Sequence, residues 1–117
     1  MTEGVKIDTV RSYSSGMVGR ALNSARTNHF VLDSPSGPNE ALTNGEAFLA
    51  GVSSCGVTLI EGYARQQGIP LKRMQVTIDG IRDLAAPNRF QAVKLSFELE
   101  GVDPLQATEL VEVYKSR

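Results

Sequence analysis

Residues 74–80, MQVTIDG, alternate strictly, with Met74, Val76 and Ile78 on one side of an extended chain and Gln75, Thr77 and Asp79 on the other. A period of two is that of a strand with one buried face, so this segment predicts a half-buried strand. In RFQAVKLSFELEG the apolar set moves from Phe90 and Ala92 to Val93, Leu95, Phe97 and Leu99. That change of phase predicts a second strand with a β-bulge near Ala92, where one extra residue would reset the alternation. Asp103 then stands before Pro104, a pairing suited to an N-cap and a first helical position. Ala107, Leu110, Val111 and Tyr114 follow on one helical stripe, which predicts a last helix running to the chain end. Upstream, VKIDTV at 5–10, MVGRALN at 17–23 and NHFVLD at 28–33 are short, partly alternating and separated by Ser, Gly and Asn. They predict a three-stranded meander. SPSGPNEAL, residues 34–42, has no periodicity and reads as a surface loop.

Between meander and strand pair lies the best-marked element. Thr43 followed three residues later by Glu46 has the form of a capping box, in which each side chain satisfies a free amide at the helix start. Gly68 can take the left-handed C-terminal conformation, and Pro70 prevents continuation. The helix from Thr43 to Gln67 would be about 37 Å long at 1.5 Å per residue. Leu49, Val52, Leu59, Ile60 and Tyr63 supply an apolar face, while Ala47, Gly51, Ser54 and Thr58 line a face of small residues. A helical glycine costs about 1 kcal/mol relative to alanine. Gly51, Gly56 and Gly62 therefore predict the close approach of another backbone, with the helix buried on most sides.

The element order gives an α+β fold in a single domain covering residues 1–117, as 117 residues allow. Twelve basic against thirteen acidic residues give a net charge of −1, spread evenly. No basic stripe exists to neutralise a run of phosphates, so nucleic acid is set aside as a partner. MTEGVKID lacks the charged-then-apolar run of a signal peptide, and Ser53, Ser54 and Thr58 interrupt the most apolar stretch. A soluble cytoplasmic protein with no membrane partner is expected. One histidine and one cysteine form no metal-ligand cluster, and no glycine loop suited to a phosphate-bearing cofactor is present. No metal and no cofactor are expected.

The single cysteine, Cys55, precludes an intramolecular disulfide. Free cysteine is among the most buried residue types, so composition and periodicity favour a core-filling role. Cys55 also lies twelve residues after Thr43, beyond the last turn over which the helix dipole acts. A thiolate there would need a tertiary partner.

HFVLDSPSG followed by TNGEAFLAGVSSCGVTLIEGYARQQGIPLKRMQVTIDG resembles the OsmC/Ohr superfamily, whose signature sets a glutamate, small and apolar residues and then a cysteine on a long central helix. The match runs through residues 29–80. The resemblance implies an antiparallel sheet with a long central helix and a second helix, an intertwined homodimer, and reduction of organic hydroperoxides by a cysteine pair. It makes Cys55 the peroxidatic cysteine and places Glu46 close to the family's active-site acid, although the same glutamate also serves the capping box. Nine helical residues put Glu46 and Cys55 about 13.5 Å apart along the axis and on opposite faces. Glu46 would then act on the thiol of a second subunit. The family's thiolate partner is an arginine from an early strand or loop, for which Arg20 and Arg26 are the candidates and His29 a third occupant. The family's second cysteine, in a Cys-Pro pair, follows the second helix, beyond Arg117. Either a tail is missing from the sequence, or this is a short member without a resolving cysteine that draws on an external thiol reductant. The competing expectation is a non-enzymatic stress protein that binds a small apolar ligand in the dimer groove, with Cys55 filling core volume.

Overall fold

The elements follow the order β1 (Arg11–Ser14), β2 (Arg20–Ala25), β3 (Asn28–Asp33), α1 (Asn44–Gln67), β4 (Arg73–Ile81), β5 (Ala92–Glu100) and α2 (Pro104–Lys115) in a computed structural model that describes residues 4–116. This is the α+β order read from the sequence, with every strand pair antiparallel. The pairing is divided between a sheet of order β1-β2-β3 and the hairpin β4-β5. The chain separates into two compact units, one up to Ala47 and one from Phe48 onward.

In the first unit the meander forms, but its boundaries move. Residues 5–10 are not a strand. Arg11 pairs with Ser24 at the end of β2, and Arg26 then turns the chain with φ at 57°. Past Ser24 only Ala25 remains of β2, too little backbone to pair with a six-residue segment, whatever its alternation. The second strand starts at Arg20 rather than Met17, because Gly16 and Gly19 take φ of 91° and 88° and the Arg20 amide donates back to the Met17 carbonyl at 3.2 Å. NHFVLD is β3 as expected, and Asp33 bridges to Thr43 just before α1. The capping box is present. The Glu46 amide donates to Thr43 Oγ1 at 3.1 Å, and Glu46 Oε1 accepts from the Thr43 amide at 2.9 Å.

In the second unit α1 ends as read, with Gly68 at φ 67° and the Ile69 amide donating to the Ala64 carbonyl. Ile60, Ala64 and Leu110 are the buried apolar residues, ringed by Tyr63, Met74, Phe97, Leu99 and Tyr114. This cluster joins α1, both strands and α2. Asp103 caps α2 with Gln106 completing a capping box, and Pro104 stands in the first turn. The register from Arg73↔Glu100 to Ile81↔Ala92 is unbroken, so the bulge near Ala92 is absent. The change of phase falls in the connecting loop instead. Gln91 closes that loop by donating to the Ile81 carbonyl at 2.6 Å, and the Phe90 ring lies on Gly80, where a Cβ would collide with it. Length and composition alone would also let α1 cross a membrane, at a mean hydropathy of 1.3; Ile60 and Ala64 on this helix are buried in the core of this unit.

Candidate functional site

The face that α1 turns toward α2 fixes where Cys55 lies. Gly56, Ile60 and Ala64, spaced by four, are its buried residues. The Tyr114 ring covers Gly56 so closely that a Cβ there would sit 3.3 Å from it. The Tyr114 hydroxyl donates to the Val52 carbonyl at 3.1 Å, one turn before the cysteine, and the ring meets Phe97 edge-on. With α1 held on that side, Cys55 stands about 100° round the helix from Gly56. It is exposed, which overturns the core-filling expectation for this thiol. Gly51, Ser54, Thr58 and Gly62 are exposed beside it, and nothing among the described residues lies within 4 Å of a Cβ built at Gly51 or Gly62. The helix is therefore open along its small-residue stripe rather than buried on most sides, and Cys55 belongs to that stripe.

Glu46 is on the same helix, nine residues earlier, and exposed. Its carboxylate is engaged by the capping box.

Arg20 and Asp33 are cross-strand partners on β2 and β3. Asp33 has no exposed surface, and such a carboxylate requires several donors. Oδ1 accepts from Arg20 Nε at 2.7 Å, and Oδ2 accepts from Arg20 Nη2 at 2.9 Å and from the amides of Glu40 and Ala41 at 2.8 and 3.0 Å. Arg20 Nη2 also donates to Glu40 Oε1 at 3.0 Å. These bonds tie the 34–42 loop to the sheet, and Gly19 and Gly37 meet backbone to backbone, leaving no room for a Cβ at either. The Arg20 bonds, helped by the two amides and opposed by burial, hold the Asp33 carboxyl well below the usual carboxylate range. The same bonds, that to Asp33 foremost, raise Arg20 above its ordinary value. Arg20 Nη1 keeps its donors without a protein partner among the described residues, on a side chain one-fifth exposed.

No ion pair joins Arg20 to Glu46 among the described residues; Asp33 and Glu40 orient the arginine. Arg26 is exposed at the β2–β3 turn and has no hydrogen-bonding or ionic partner among the described residues. His29 lies on β3 beside Tyr13, Leu22 and Val31, along a shallow cavity of about 370 Å³. Asp33 and Glu40 were not singled out from the sequence. The signal was the hairpin register, which sets an arginine directly across from an aspartate. No group of three or more His, Cys, Asp or Glu able to hold a metal occurs among the described residues.

The Asp33 bonds make a pH prediction. A carboxyl whose folded pKa is depressed adds stability that is present above its unfolded pKa of about 3.9 and is lost as pH falls through the folded value. Asp33→Asn should lower the urea midpoint at pH 7, and the gap to the wild type should narrow as pH is taken from about 5 toward 2. A gap constant over that interval would show that the charge of Asp33 adds nothing.

The family model described as OsmC-like protein matches residues 37–117. Among solved structures, an OsmC-like protein from Mycoplasma pneumoniae is 14% identical with a TM-score of 0.79, covering 96% of this chain and 82% of its own. An organic hydroperoxide resistance protein OsmC from Legionella pneumophila is 18% identical with a TM-score of 0.68, covering 95% of this chain and 83% of its own. The organic hydroperoxide resistance protein OhrB of Bacillus subtilis is 17% identical with a TM-score of 0.67, covering 95% and 84%. No curated protein sequence matches the chain significantly.

Proposed function

This chain belongs to the OsmC-like protein family, and on that premise we propose that it reduces organic hydroperoxides through Cys55, working as a homodimer with an external thiol as reductant. Proteins of the same fold are named for resistance to organic hydroperoxides. The observation that carries the reading is the exposed Cys55 in the middle of α1, where a buried thiol would have no access to a peroxide.

The chemistry is a two-electron transfer of oxygen. The Cys55 thiolate sulfur attacks the terminal oxygen of the hydroperoxide, an S–O bond forms and the O–O bond breaks. The alkoxide takes a proton and leaves as the alcohol, and Cys55 is left as sulfenic acid. One external thiol condenses with the sulfenic acid, releasing water and giving a mixed disulfide. A second thiol displaces Cys55 as thiol and departs as the oxidised disulfide. With one cysteine in these 117 residues, both reducing thiols come from outside them. A thiol-rich compartment such as the cytoplasm suits that cycle.

Thiolate attack calls for a nearby cation. Arg20 is the better candidate of the two arginines, because its side chain is already oriented and Nη1 is unused, whereas Arg26 is unsupported at a turn. The competing reading, a ligand-binding protein with Cys55 as core filler, loses its second half to the exposure of the thiol.

The test is the thiol itself. Iodoacetamide at pH 6 should alkylate Cys55 at least about tenfold faster than free cysteine, as a stabilised thiolate requires. A rate equal to that of free cysteine would argue for an inert surface thiol and against the peroxidase.

A further inference from the structure

We propose that the cavity at the Arg11 end of the β1–β2 pair binds a small organic carboxylate, with Arg11 and Arg26 taking its charge and Ile7 and Val10 its aliphatic body. Every residue of the site belongs to the first unit, so the proposal needs neither Cys55 nor the peroxidase reading.

Three observations carry it. The first is the cavity, of about 550 Å³, a size that holds small ligands. Segment 5–10, which pairs with no strand, forms one of its walls. The second is charge. Arg11 stands directly across from Ser24, and Arg26 follows in the two-residue link between Ala25 and Asn28. The register therefore brings both arginines to one end of the sheet, where both line the cavity. Neither has a hydrogen-bonding or ionic partner among the described residues. Two cations on one cavity repel each other until an anion is shared between them. Asp8, the acid of the lining, does not fill that role, because its ion pair at 3.8 Å is with Lys6. The third is the backbone at Arg26, whose φ of 57° lies in the region that favours glycine or asparagine. An arginine there gives up backbone stability, and no contact among the described residues offsets the loss.

The chemistry of the lining selects the class of anion. A guanidinium presents paired N–H groups that match the two oxygens of a carboxylate. Ile7 and Val10 are 64% and 57% exposed, and an aliphatic chain laid on them would remove that surface from water. Inorganic phosphate satisfies the arginines but leaves the apolar wall wet. A neutral alcohol of the same chain length covers the wall and leaves the arginines unpaired.

The experiment follows the backbone amides of the full chain, labelled with nitrogen-15, on titration at pH 7 with octanoate, octan-1-ol or inorganic phosphate, each up to about 2 mM. Octanoate should shift amides within residues 7–11 and 24–26 with a Kd below about 1 mM, and the other two probes should bind at least about tenfold more weakly. Arg11→Ala and Arg26→Ala should each weaken octanoate about tenfold, the scale of one charge-assisted hydrogen bond. Both side chains are exposed and unpartnered, so folding should survive. If Arg26→Ala does not fold, Arg26→Gly removes the same charge while easing the positive φ, and the same loss is expected of it. Amides of the two segments left unmoved by octanoate, as when a second copy fills the cavity, would overturn the proposal. Wild-type affinity in Arg11→Ala or in the Arg26 variant would overturn it as well. Equal binding of octan-1-ol would remove the arginines from the site, and equal binding of phosphate would replace the carboxylate with a bare anion; either result contradicts the assignment.

Discussion

Gly51→Leu should separate a wild-type dimer into folded monomers, raising the dissociation constant at least about 100-fold. Gly51 and Gly62 lie exposed on α1, and among the described residues nothing approaches within 4 Å of a Cβ at either. Each costs a helix about 1 kcal/mol relative to alanine, and no contact among the described residues offsets that cost. A second copy packed through Gly51, Ser54 and Thr58 would, with the Cys55 thiol left open at the edge of that contact. The remainder of the surface agrees, since large apolar side chains such as Phe48 at 57% and Met17 at 53% stay exposed while the buried apolar set is Ile60, Ala64 and Leu110.

Leucine at 51 meets open space in the single chain and improves helix propensity, so a folding defect is not expected. At a close helix crossing the same side chain overpacks, typically by 1–3 kcal/mol, and twofold symmetry applies the penalty from both copies. Two to three kcal/mol is roughly a factor of 100 in affinity. Light scattering at micromolar concentration should show two copies for the wild type and one for Gly51→Leu. A stable wild-type monomer would remove the shared stripe from the account.

Those elements whose ends are marked by local chemistry could be read from the sequence. Thr43 with Glu46, Gly68 with Pro70, and Asp103 with Pro104 each act within one helical turn, and all three pairs do in the structure what their chemistry suggests. β4 was legible for a similar reason, because its alternation matches a partner of equal length. Residues 5–10 show the limit. Alternation says which way side chains point, but a strand also needs a neighbour's backbone, and β2 has already turned at Arg26. The bulge failed in a related way, since a change of phase looks the same whether it falls inside a strand or in the loop before it.

The site was less legible, because its residues are brought together by register and burial. Cys55 and Glu46 were visible as types on one helix. That Cys55 is exposed depends on Tyr114 docking over Gly56, 58 residues away in sequence, and composition points the other way. Arg20 was one of two arginines of equal standing until the hairpin placed Asp33 opposite it.

Cys55→Ser should abolish hydroperoxide reduction altogether, the largest effect expected of any substitution here. Serine is nearly isosteric and the site is exposed, so the fold should be unaffected. An alcohol, however, is not ionised at neutral pH and cannot accept oxygen from a peroxide, so no partial activity should remain. The stoichiometry follows from the same single thiol. Without added thiol the wild-type chain should consume one equivalent of organic hydroperoxide per subunit and stop at the sulfenic acid, because one cysteine supports one two-electron step. A dithiol should restore turnover.

The most direct measurement is mass spectrometry of the reduced chain after exposure to several molar equivalents of cumene hydroperoxide, with dimedone present to trap sulfenic acid. The account predicts one dimedone adduct per subunit, located at Cys55 and absent from Cys55→Ser. An unmodified Cys55 under those conditions would contradict it.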